Sequence, residues 1–207
     1  MTHTENSHDM EQSILEAAEQ LFLDKGFVRT STTEIARAVG CNQTLIHYYF
    51  RTKDNLFNRI FENKLEKIIP QLLELSQQKV PFLERIQQII EIHFSILQQN
   101  PKLPKMLMNE IGTDPKRTEW LRNLLLEKAN PYRLQFEEEL EQAIQKGEIR
   151  PIKPITLLLD ILSMNVFIFI SYPVLCNITG MDPGNFEQIT EARKKEAVTL
   201  ITNGLRP

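Results

Sequence analysis

Apolar side chains recur every three or four positions from Met10 onward. Met10, Ile14, Ala17, Ala18, Leu21 and Phe22 fall on one stripe of a helix with about 3.6 residues per turn, and Gly26 is placed to end it. Ahead of Met10 the stretch MTHTENSHD is polar and without period, which predicts a frayed tail over residues 1–9. Ser31 followed by Glu34 has the spacing of a capping box, in which hydroxyl and carboxylate each satisfy a backbone N–H at a helix start. Ile35, Ala36 and Val39 give that short helix its apolar face, and Gly40 stops it. Asn42 is suited to cap a third helix, in which Ile46, Tyr49 and Phe50 share one face; Gln43, Thr44, His47 and Tyr48 lie on or beside the other. Thr52 caps a fourth, with Leu56, Phe57, Ile60, Phe61, Leu65 and Ile68 at helical spacing until Pro70 kinks or ends it.

The remainder reads as helical too. Pro81 opens an amphipathic helix carrying Phe82, Ile86, Ile89, Ile90, Phe94 and Leu97, which NPKLP at 100–104 breaks. A shorter helix runs to about Ile111. Asp114 and Pro115 start another, expected to be interrupted near Pro131 and closed by Gly147. From Ile155 to Ile178 the chain is apolar over roughly the length of a bilayer crossing. Asp160, Ser163, Asn165 and Pro173 interrupt this run and no basic cluster flanks it, so it reads as a helix buried in a protein interface. A last helix runs from Phe186 to Asn203 and ends at Gly204. No stretch alternates apolar and polar residues at period two, so the expected fold class is all-α.

Composition adds little until charge is located. The 207 residues include 42% hydrophobic ones, enough for a sizeable core without staples. Cys41 and Cys176 lie far apart and no signal peptide opens the sequence, so a reducing cytoplasm is the natural reading and Cys41 serves as a small hydrophobe. Net charge is -3, yet the window from Asp24 to Arg59 holds six basic residues against three acidic ones. The N-terminal end is thus locally positive on an acidic body.

Within that window stands TSTTEIARAVGCNQTLIHYYFRTKDNLF, Thr30 to Phe57. Thr30 with Ser31, the Ile35–Ala36 pair, Gly40, the aromatic cluster from Tyr48 to Phe50, and Lys53 with Asp54 sit at spacings that closely resemble the DNA-binding domain of TetR-family transcriptional regulators. The resemblance covers Met10 to Ile60 well. It reaches the rest loosely, through QKGEIRP around Gly147 and the closing ITNGLRP. It implies a three-helix helix-turn-helix domain over 10–57, a fourth helix linking onward from 53, and a ligand-binding and dimerisation bundle over 58–207.

The resemblance further implies phosphate contacts from Ser31, Thr32 or Thr33, from Tyr49, and from Lys53 at the positive end of the fourth helix. Base-edge contacts would come from Gln43, Thr44, His47 and Tyr48. Tyr49 also lies on the core-facing side and reads equally as packing. Thr44 stands where the family often has Gly or Ala, Leu45 where it often has Thr or Ser, and His47 where it usually has Tyr, so an operator sequence does not carry over. Such regulators pair through their last two helices, here the Ile155–Tyr172 region and the Phe186–Leu205 helix. They hold a small, mainly apolar effector in the body. Met106, Met108, Trp120, Phe136, Asn165 and Phe167 are candidates for its pocket, each serving as readily as plain core. His93 on an apolar face reads as a satisfied core histidine.

The expectation is therefore a ligand-responsive regulator, a repressor by family default, that binds a palindromic operator as a homodimer. Cofactor, metal and membrane have no place in it. An enzyme finds no support: there is no Gly-rich phosphate loop, GxSxG, HExxH or CxxC, and His3, His8, His47 and His93 lack metal-ligand spacing. A helical protein-interaction module without DNA binding is the alternative, which leaves the exposed face of the third helix without a role.

Overall fold

The computed structural model describes the backbone of residues 2–207 and the side chains of all these but 2–8, 72, 73 and 76. The periodicities resolve into nine helices among the described residues: α1 (Thr2–Lys25), α2 (Thr32–Val39), α3 (Gln43–Phe50), α4 (Lys53–Gln77), α5 (Phe82–Gln99), α6 (Leu103–Glu110), α7 (Pro115–Gln145), α8 (Pro154–Thr179) and α9 (Phe186–Leu205). A 3-10 turn at Pro183–Asn185 precedes α9, and no strand occurs among the described residues. The fold is all-α, as expected.

Three boundaries differ from the sequence reading. The segment expected as a tail is helical from Thr2; it holds neither Gly nor Pro, and a nucleated helix extends at one bond per residue fixed. Met1 lies outside the described residues. Second, α4 passes through Pro70 and α7 through Pro131 without a break. Both prolines are exposed, so packing on the opposite face outweighs one missing hydrogen bond. Third, α9 continues through Gly204 to Leu205. Arg150 explains this: its N–H donates to the carbonyl of Leu205 (2.8 Å) and its Nε to that of Gly204 (2.5 Å), while Ile149 is buried beside it. The two C-terminal motifs, QKGEIRP and ITNGLRP, thereby meet in space.

The core falls into three clusters. The first joins Ile14, Phe22, Ile35, Ile46, Phe50 and Phe57 of α1 to α4 with Leu103, Met106 and Ile111 from α6 and the turn after it. The second joins Phe82, Ile86 and Ile90 of α5 to α7, α8 and α9 through Leu140, Leu157, Ile161, Ala197 and Ile201. The third is small and holds Phe94, Leu97 and Phe169.

One polar assembly ties the N-terminal helices to the body. The Phe27 ring, in the turn between α1 and α2, lies between the Lys53 ammonium at 4.1 Å and the Arg117 guanidinium at 3.7 Å from its centroid. Its backbone N–H donates to Glu110 Oε1 (3.1 Å). Arg117 donates through Nη1 to Glu110 Oε2 (3.2 Å) and through Nη2 to Asp54 (2.8 Å). Glu110 and Arg117 are both buried. Removing one partner of a buried pair strands the other charge, so Arg117→Ala is expected to destabilise the fold by about 3 kcal/mol or more. The double variant Glu110→Gln with Arg117→Met should recover a large part of this in thermal denaturation; equal melting of the two variants would show that the pair carries no weight.

Candidate nucleic-acid interface

Local chemistry sets α2 and α3 in place. Ser31 Oγ accepts from the N–H of Glu34 (3.1 Å) and the Glu34 carboxylate accepts from the N–H of Ser31 (3.0 Å), the expected capping box. Lys25 adds an ion pair to Glu34 at 2.9 Å. Together the Lys25 ammonium and the Ser31 N–H hold the Glu34 carboxyl down at about 2. Gly40 takes φ +76 at the end of α2, and Asn42 Oδ1 accepts from the N–H of Thr44 (2.9 Å) to start α3. Ile46 and Phe50 then bury one face of α3 in the first core cluster.

The opposite face is open. Gln43, Thr44, His47 and Tyr48 are all exposed, Tyr48 at 74%. α3 is eight residues, about 12 Å, long, and the diameter of any helix with its side chains, about 10–12 Å, suits the width of a B-DNA major groove. Tyr49 is half-buried against the core cluster, its ring 5.3 Å from that of Tyr48 and edge-on to it. Cys41 is likewise half-buried against this cluster.

Beyond α3 the chain turns sharply at Arg51, which has φ +67 and ψ -52, with the N–H of Thr52 bonded to the carbonyl of Phe50 (2.7 Å). This is a γ-turn, strained by about 1–3 kcal/mol at a non-glycine residue. Thr52 Oγ1 holds its far side by accepting from the N–H of Asn55 (3.0 Å). The strained turn sets the angle at which α4 leaves α3.

Five residues given DNA contacts by the resemblance, Ser31, Thr32, Thr33, Gln43 and Lys53, have partners of their own here. Lys53 Nζ donates to the carbonyls of Phe27 (2.9 Å) and Thr30 (2.8 Å), and burial pulls its pKa below the usual lysine value. It clamps the turn between α1 and α2 onto α4. Gln43 Nε2 donates to Thr32 Oγ1 (2.8 Å), and Thr33 Oγ1 donates to Gln43 Oε1 (3.1 Å), so this amide braces α3 against the start of α2. Ser31 is occupied by its cap. Of the six basic residues in the window, Lys25 and Arg59 are paired with Glu34 and Glu62, and Lys53 is turned inward. Arg29 bonds the carbonyl of Lys25, while Arg37 and Arg51 are exposed with no ion pair among the described residues. Sequence counting singled out neither arginine, since a charge total does not distinguish free cations from engaged ones.

The six pocket candidates are not brought together. Met106 and Trp120 belong to the first core cluster and Phe136 to the second. Met108 and Phe167 are exposed, Phe167 at 64%. Asn165 is fully buried between α8 and α5, where Nδ2 donates to the carbonyl of Ile90 (3.1 Å) and to His93 Nδ1 (3.0 Å). His93 is half-buried with its Nδ1 on Asn165, and burial pushes its pKa down. An open cleft of about 410 Å³ at the turn between α6 and α7 is lined by Gly112, Thr113, Pro115, Thr118, Glu119 and Arg122, none of them a candidate.

A short exposed helix braced on a second, with its own caps and a shared core, is the arrangement of helix-turn-helix proteins that place one helix in the major groove. Residues 14–60 match the family of bacterial regulatory proteins called the tetR family, and residues 83–201 match the tetracyclin repressor-like C-terminal domain. The chain belongs to the TetR family and is a DNA-binding transcriptional regulator. It is 25% identical over 137 residues to the fatty acid metabolism regulator protein of Bacillus subtilis, covering 66% of this chain and 69% of that one. It is 24% identical over 141 residues to the nucleoid occlusion factor SlmA of Marinobacter nauticus, covering 67% and 68%. The fold is similar to that of FadR from Bacillus subtilis solved with stearoyl-CoA (TM-score 0.70, 18% identity, 94% and 99% covered). It is also similar to HlyIIR, a hemolysin II transcriptional regulator (TM-score 0.65, 20% identity, 97% and 99% covered).

Lys53→Ala is expected to lower stability by on the order of 2 kcal/mol, since two carbonyls lose a charged donor. A melting curve unchanged from wild type would leave Lys53 free for DNA alone. Glu34 gives a second check. Its carboxyl is held lower in the folded chain than unfolded, so its contribution is complete above about pH 4.5 and is lost as pH falls toward about 2. Acid unfolding of Glu34→Gln should depend less on pH across that range; identical profiles would mean the capping box does not titrate.

Proposed function

We propose that the chain is a transcriptional repressor of the cytoplasm that binds an inverted-repeat operator as a homodimer and leaves it when a mainly apolar effector enters the body. The observation that carries this reading is the face of α3, on which Thr44, His47 and Tyr48 stand exposed. Base readout falls to these three together with Gln43, which must first release Thr32 and Thr33. Phosphate contacts fall to Thr33, Tyr49, Arg37 and Arg51, with Ser31, Thr32 and Lys53 acting chiefly through the shape of the domain.

A single short helix reads few base pairs, and two copies related by a two-fold axis double the footprint, with half-sites about 34 Å apart. The surface of α8 supports such pairing. Ile155, Leu158, Leu159, Leu162, Val174 and Ile178 are exposed on it, and Leu200 on α9. An apolar effector is supported by the similarity to FadR, whose structure holds stearoyl-CoA. Effector entry would act by favouring a conformer whose two recognition helices no longer fit successive grooves.

Selection of genomic fragments on the purified protein at about physiological salt, with Tyr48→Ala beside the wild type, tests this. An inverted repeat should be enriched by the wild type, and Tyr48→Ala should bind it weaker by about 1–3 kcal/mol and with altered base preference, at unchanged melting temperature. Absence of enrichment would instead favour a helical interaction module.

A further inference from the structure

Charge breaks the apolar outward side of α8 at one place. Leu157, Ile161, Asn165, Phe169, Tyr172 and Cys176, three or four positions apart, turn one side of this helix into the body. Leu159, Leu162 and Phe167 stand exposed away from it, as does Leu200 on α9. Asp160 is exposed among them, and its carboxylate has no partner among the described residues. It lies one turn before Met164, whose Sδ is 2.8 Å from Nη2 of Arg193 on α9.

Helix register places a second carboxylate at the level of the first. Met164 meets Arg193, and the rings of Tyr172 and Phe186 meet with centroids 4.9 Å apart, so α9 runs antiparallel to α8. Glu196 therefore comes level with Ile161, next to Asp160. Arg193, Glu196 and Leu200 share a stripe that flanks α8, whereas Thr190, Ala197, Ile201 and Leu205 form the buried side of α9. Glu196 is exposed and has no ion pair among the described residues, although Arg193 is only three positions away. Lys194 is paired with Glu191 (2.7 Å), but half-buried Arg193 has only the thioether, a weak acceptor. The groove between α8 and α9 thus carries two unpaired carboxylates at one level and an unpaired guanidinium one turn along.

We infer that a second copy of this chain covers the groove about a two-fold axis passing between the two levels, so that Arg193 of each copy enters the Asp160–Glu196 pair of the other. The inference rests on the homodimer reading above and adds the groups that fix its register. A two-fold axis exchanges whatever lies on its two sides, so a face with an acidic level beside a basic one is complementary to itself. An apolar partner or a lipid surface laid on the same groove would bury all three charges uncompensated. A second copy sets each against opposite charge and removes the surrounding leucines and Phe167 from water.

The test is sedimentation velocity over a dilution series on wild type, on an acid-reversed variant (Asp160→Lys with Glu196→Lys) and on a base-reversed variant (Arg193→Glu). Wild type should sediment as a dimer. Each variant alone sets like charges together at both contacts and should dimerise roughly tenfold or more weakly. An equal mixture of the two variants restores opposite charges at both contacts, so the mixed dimer should form with about wild-type affinity. Chains that had failed to fold would not recover on mixing. Variants that dimerise as tightly as wild type, or a mixture that associates no more tightly than its parts, would overturn the charge contacts while a wild-type dimer stood. Wild type that stays monomeric over the whole series would overturn the homodimer reading and these contacts with it.

Discussion

The placement of Phe27 between two cations, with its N–H on Glu110, is the constraint on which the arrangement of the two ends depends. Its three partners come from separate stretches of chain: Lys53 opens α4, Glu110 closes α6, and Arg117, which also pairs with Asp54, stands near the start of α7. The turn after α1, the helix that leaves the recognition helix, and two helices of the body thus meet on one ring. Since Glu110 and Arg117 are buried, neither can be moved far without leaving a charge unpaired in a poorly solvated place. The assembly therefore fixes α6 and α7 to the first turn of α4, which the link at Arg51 joins directly to α3.

The same geometry changes what the DNA-facing residues can do. A lysine bonded to two carbonyls and stacked on a ring must abandon those contacts to reach a phosphate, so its partners in the free protein compete with DNA. Gln43 is in a similar position toward Thr32 and Thr33, though its surroundings are exposed and water replaces its partners at small loss. Thr44, His47 and Tyr48 meet no such competition. Local bonds thus divide the exposed face into residues that shape the domain and residues without such partners, which are the ones we propose for base readout.

How much of this was legible follows from the range of each interaction. The Ser31–Glu34 box, the Asn42 and Thr52 caps and the turn at Gly40 depend on neighbours within four residues, so sequence spacing foretold them. The interruption expected near Pro131 does not occur, and α4 does not end at Pro70, because local propensity argues for a break while the packing that overrides it comes from other helices. Phe27 and Glu110 are 83 residues apart, and nothing in a helical period marks either as a partner of the other. Pocket residues chosen for polarizable or aromatic character scattered, because chemical type does not say which way a helix is turned. Asn165 was singled out as a polar oddity in an apolar run and is the one candidate left with an unmet bond, which shows that a broken pattern is more informative than a favoured residue type.

Helix α8 shows why composition alone misleads about surroundings. It is long and apolar enough to cross a bilayer, and its outward side carries Ile155, Leu159, Phe167 and Ile178. Yet its other side is fixed to the body by bonds that lipid cannot supply: Asn165 donates to Ile90 and His93, and the Tyr172 hydroxyl donates to the carbonyl of Asp182 (3.1 Å). Withdrawing α8 into a membrane would strip these polar groups and also expose the apolar faces of α5 and α9 that it covers. A second copy of the same helix, as in the pairing we propose, would meet the outward side without that penalty, because apolar surface would be removed from water on both chains while every bond on the inner side stayed in place.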